Sequence, residues 1–112
     1  MTTSKAADGR RRAAELVQLI GRDDPAADQL LDGLTDLRAL AFLGAALTTL
    51  ARTEGRLLPP AQRAQANTRQ MHLGALRDAN RTDPDGLRTW LRRAAEEVRF
   101  IRSLRAAADR AG

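Results

Sequence analysis

The chain has no cysteine, no tyrosine and one histidine. Without cysteine there is no disulfide, no thiolate nucleophile and no cysteine-based zinc site. His72 has no serine or carboxylate beside it in an activating context, and Ser4 and Ser103 are the only serines. Neither a catalytic triad nor a histidine metal cluster is expected, so no catalytic residue, metal ligand or cofactor is assigned. Aromatic residues are limited to Phe42, Trp90 and Phe100. The core must therefore be built from leucine and alanine, both strong helix formers. Strand formers are scarce: Val17, Ile20, Val98 and Ile101 are the only valines or isoleucines, and all sit in helical patterns.

Long apolar runs are also missing. The longest uncharged stretch, Ala39 to Ala51, is 13 residues and is closed by Arg38 and Arg52. A bilayer span needs about 20. Met1 to Ile20 has no apolar segment behind its charges, unlike a secretory signal. These absences point to a cytoplasmic protein without a membrane partner, and no small-molecule substrate is evident.

What is present is enough for one helical domain over residues 1–112, with 1–4 as a flexible tail. Hydrophobic residues make up 43% of the 112, so a core is affordable and wholesale disorder is not expected. Ala13, Leu16, Val17 and Ile20 form the buried stripe of a first helix from Lys5 to Ile20, capped by Ser4 or Thr3 and ended by Gly21. Asp24-Pro25 restarts the chain as N-cap and first-turn proline. Gly33 and Thr35 mark a kink or a second start, leaving 25–54 open as one bent helix or two. From Leu37 to Ala51 apolar residues occupy every face, the pattern of a central, surrounded helix. Gly55 and Pro59-Pro60 end it.

Residues Ala61 to Arg81 form a weakly amphipathic helix. Its first half is rich in amides and arginine (Gln62, Arg63, Gln65, Asn67, Arg69, Gln70), as if solvated or awaiting a partner. Asp83-Pro84 then starts a last helix to Ala108, with Leu87, Trp90, Leu91, Ala94, Val98, Ile101 and Ala108 in one seam. The fold class is all-α, a single antiparallel bundle of four to five helices.

Charge is unevenly placed. Residues 1–56 hold eight basic and eight acidic groups, whereas residues 57–112 hold eleven arginines against six acids, the whole of the +5. Arginine forks suit phosphate and carboxylate. Asp24, Asp28 and Asp32 share one helical face; dipole compensation explains them better than a cation site. Arg88, Arg92, Arg99 and Arg110 fall within about 40° of each other on the last helix, opposite its apolar seam. With Arg10, Arg11 and Arg12, Arg88, Arg92 and Arg99 are the candidate nucleic-acid contacts. Phe100 projects off the seam near Leu104 and Ala107. An apolar side chain there needs a second surface, so Phe100, Leu104 and Ala107 are the candidate protein interface.

The stretch from Leu76 to Arg93, with its turn at Thr82-Asp83-Pro84-Asp85, resembles the helix-turn-helix unit of winged-helix domains, including the dimerisation domains of some small-molecule methyltransferases. The resemblance implies that Leu87, Trp90 and Leu91 pack inward and that Arg88 and Arg92 face a DNA groove. Arg77 stands where a small buried residue is usual, Arg81 where a glycine usually makes the turn, and no strands follow to form a wing. The expectation carried forward is a non-enzymatic interaction or assembly protein, self-associating or a small subunit of a larger complex. The alternative is a nucleic-acid-binding protein.

Overall fold

The computed structural model describes residues 5–111. The tail over 1–4 and the Ser4 or Thr3 cap lie outside them. Five helices and no strands occur among the described residues: α1 (Lys5–Gly21), α2 (Ala26–Asp32), α3 (Leu37–Gly55), α4 (Pro60–Ala79) and α5 (Pro84–Ala111). The all-α bundle expected from the leucine and alanine pattern is the observed fold.

The question over residues 25–54 resolves into two helices. Asp24 Oδ1 accepts from Ala26 N at 2.9 Å and starts α2, with Pro25 in the turn. Asp36 is extended, and its carboxylate accepts from Arg38 N at 2.9 Å to start α3. Leu34, between them, is buried and plugs the joint.

The end of α1 differs from the glycine stop the sequence pointed to. Gly21 is still helical; the left-handed residue is Asp23, with φ 50°. Asp24 N donates to Leu19 O at 3.0 Å and Asp23 N to Ile20 O at 3.1 Å, the paired bonds of a Schellman ending. Aspartate tolerates this backbone better than most residues.

Leu16, Leu40, Leu43, Leu47, Leu91, Val98 and Ile101 form the fully buried centre. α3 packs most closely on α5 and α1, and α4 rests chiefly on α5. α3 and α5 run parallel: Gly44 meets Trp90, and Glu54 meets Arg102. The Trp90 ring occupies the space where any side chain at Gly44 would begin. α5, 28 residues long, spans the 43 Å long axis.

α3 is central but not surrounded. Leu40, Leu43, Ala46, Leu47 and Ala51 are buried, yet Leu37 is 41% exposed and Ala41 and Ala45 are open. α4 touches α3 at few points. That open face positions the site described next.

Candidate functional site

The arginines picked out on α5 lie together, but they serve their own chain. Arg88 donates from Nε to Leu31 O at 3.0 Å and from a terminal nitrogen to Leu34 O at 2.9 Å. It also pairs with Asp85 at 2.7 Å. Its guanidinium thus caps the carbonyl end of α2, where a cation meets the negative end of the helix dipole. One turn on, Arg92 pairs with Asp28 of α2. Arg99 lies over Gly21: a side chain there would start 3.0 Å from Arg99 Nε. The last turn of α1 has no basic residue of its own, so Arg99 supplies the cation. Of the stripe expected to face phosphate, Arg88 and Arg92 are bonded to α2, while Arg99 lies exposed over the end of α1 with no ion pair among the described residues.

The same bonds bear on the helix-turn-helix resemblance. A tight turn does join α4 to α5, with Asn80 Nδ2 donating to Leu76 O at 2.8 Å and Asp83 Oδ1 accepting from Asp85 N at 3.1 Å. Leu87, Trp90 and Leu91 pack inward as the resemblance implies. Arg88 and Arg92 do not face outward, because α2 lies against them. Of the N-terminal triplet, Arg11 pairs with Asp8 at 2.8 Å, Arg12 is half-buried, and Arg10 is exposed beside the groove between α1 and α3.

The expected protein interface is also covered in part. Arg69 of α4 lies over the Phe100 ring, 3.8 Å from its centroid. The same guanidinium donates through Nε to both Glu97 oxygens at 2.9 and 2.8 Å. Glu97 is 4% exposed, so this pair neutralises a buried carboxylate and roofs the phenyl ring at once. The second surface that Phe100 required is therefore α4 of its own chain. Leu104 packs on the edge of the core, and Ala107 remains exposed. His72 is exposed on α4 beside a cleft of about 490 Å³ shared with Glu96 and Glu97, and no hydrogen bond joins it to a carboxylate among the described residues.

What sequence reasoning missed is a groove between α3 and α4. A recess of about 430 Å³ lies at one end, between Leu37, Ala41 and Ala45 of α3, Arg77 and Arg81 beyond them, and Trp90 as part of the floor. At the other end a recess of about 350 Å³ is bounded by Arg52, Arg56, Arg63 and Asn67. A neck of about 40 Å³, lined by Thr48, Ala51, Gln70 and Arg77, lies between them and shares residues with both. No carboxylate is among the residues lining the three. Arg52, Arg56 and Arg63 make no ion pair among the described residues, while Arg77 and Arg81 both pair with Asp78 at 3.2 Å. Those two arginines hold the Asp78 carboxyl below its usual range, the Arg81 hydrogen bond contributing most.

At the neck, the Gln70 side-chain nitrogen is buried without a hydrogen-bond partner. Such a group costs about 1–3 kcal/mol until something accepts from it. Two signals for the groove were legible: α3 is apolar on more faces than its neighbours cover, and the amide- and arginine-rich first half of α4 lines the recess at the C-terminal end of α3.

No protein-family model, curated protein or solved structure matches the chain.

Proposed function

We propose that this chain is a non-enzymatic helical interaction protein of the cytoplasm, which assembles with a protein partner or another copy of itself through the open face between α3 and α4. The observation that carries the reading is the uncovered part of α3. Leu37, Ala41 and Ala45 present apolar surface on the most hydrophobic helix of the bundle, and α4 stands away from it. Small side chains there let another backbone approach closely. The surface expected around Phe100 is not retained, because Arg69 roofs it.

Sedimentation equilibrium over a range of concentrations tests self-association. A photo-crosslinking residue at Ala41, with one at exposed Gln18 of α1 as control, tests for a different partner in cells. The expected result is a concentration-dependent mass, or adducts formed from Ala41 and not from Gln18. A monomer at every concentration, with no adduct from Ala41 above the control, overturns the reading.

The alternative, nucleic-acid binding, is supported by exposed arginines with no acidic partner among the described residues: Arg10 and Arg99 of the expected contacts, with Arg52, Arg56 and Arg63. Arg88 and Arg92 no longer contribute to it, since both are bonded to α2. Phosphate-driven binding would weaken steeply as salt rises.

A further inference from the structure

We infer that the α3–α4 groove docks an acidic, amphipathic helix from a protein partner. The inference rests on the interaction reading above and specifies the chemistry of what is bound. Charge sets the first requirement. Five arginines line the groove: Arg52, Arg56 and Arg63 have no acidic partner among the described residues, and Arg77 and Arg81 share the single carboxylate of Asp78, which does not line it. A partner must bring acids, both to gain attraction and because a basic segment would be repelled. Spacing sets the second. Arg63 and Arg77 lie at opposite ends of α4's side of the groove, about 21 Å apart at the helical rise. The acids therefore belong at both ends of a stretch about four turns long.

The apolar lining sets the third requirement. It is small and runs along the groove, with Leu37, Ala41 and Ala45 at the Arg77–Arg81 end, Ala51 at the neck and Ala66 at the other end. Alanine, leucine or similar side chains fit there. A helix supplies acids at both ends and an apolar face alongside them. A nucleic-acid strand fits less well. Trp90 is the only aromatic residue lining the groove and is 4% exposed, so no ring face is offered for base stacking.

The test uses the full chain and fluorescence anisotropy. The probe is a labelled helical peptide of about 20 residues, glutamates in its end turns and alanine and leucine between. A peptide with lysine in place of glutamate, and single- and double-stranded oligonucleotides, are the comparators. The glutamate peptide should bind at low salt and the lysine peptide should not. Arg52→Glu with Arg63→Glu should weaken binding by about tenfold or more, with the circular dichroism unchanged, because neither side chain holds an ion pair in the fold. Failure of the glutamate peptide to bind, or equal binding to the Arg52→Glu, Arg63→Glu variant, overturns the inference. So does an oligonucleotide that binds more tightly with the same arginine dependence. If Ala41 still forms protein adducts while the peptide fails, the interaction reading stands and only the acidic helix is lost.

Discussion

Arg69 joins two demands that neither Glu97 nor Phe100 meets alone. Glu97 is buried and charged, and an unpaired buried carboxylate is far more costly than a paired one. The Arg69 side chain is itself 46% exposed, which screens part of the attraction. Arg69→Ala should therefore destabilise the fold by about 1–3 kcal/mol, read by urea unfolding, and Glu97→Gln made with it should recover part of that loss. If Arg69→Ala leaves the midpoint unchanged, the pair is ornamental. Gly44 is a different kind of constraint. Its missing side chain is the space that the Trp90 ring fills. Gly44→Ala must push the ring or the α3 backbone, at a cost of about 1–3 kcal/mol, and should shift Trp90 fluorescence in the native state.

At the scale of elements, α2 is the piece least able to hold itself. Seven residues are too few for a stable helix in isolation. It is held by buried Ala27 and Leu31, by the Asp24 cap, and by Arg88 on its terminal carbonyls. Arg88→Met should speed amide exchange in α2 and at Leu34 while α3 and α5 keep their protection. Uniform loss of protection across all helices would show that Arg88 stabilises the whole molecule instead. α3 depends on a more ordinary device, the Asp36 cap, and Asp36→Ala should cost about 1 kcal/mol in thermal unfolding. The helices themselves were legible. The Asp-Pro starts, the Pro-Pro break and the leucine rhythm placed α1, α4 and α5 to within a few residues, because caps and periodicity are local, while the division of 25–54 into α2 and α3 was left open. The partners of the arginines were not. Arg88 and Leu31 are 57 residues apart, and nothing local announces such a bond.

For the whole molecule, the uneven packing of α4 has a measurable consequence. It buries Ala66 fully and leaves Met71 74% exposed, whereas α3 and α5 together hold most of the core. Amides of α4 should exchange faster than those of α3 and α5, and an acidic ligand in the groove should slow them. Acid stability follows from Asp78. Its carboxyl is lowered in the folded state by Arg81 and Arg77, so the benefit is present above the ordinary carboxylate range. That benefit is lost as pH falls through the folded value. Asp78→Asn should flatten the acid limb of a melting-temperature profile only slightly, because the group is fully exposed. A large change there would mean that Asp78 ties α4 to α5 more firmly than its surroundings indicate. Arg102, whose pKa is raised by the hydrogen bonds it donates to Glu54 on α3, keeps its charge across the same range.

Local chemistry in the chain determined the class of fold. Leucine and alanine at helical spacing, with aspartate and proline at the starts, leave a bundle as the way to bury this much apolar surface. The surplus of apolar faces on α3 and the polar first half of α4 were also written there. Only the tertiary structure decided how those excesses are used. It closed Arg88 and Arg92 of α5 onto α2, covered Phe100 with a guanidinium from α4, and left α3 open beside five arginines with no lining acid. The physical reason is reach. Hydrophobic rhythm acts over a few residues and reads directly from the chain, while a guanidinium selects its acceptor from whatever packing brings near.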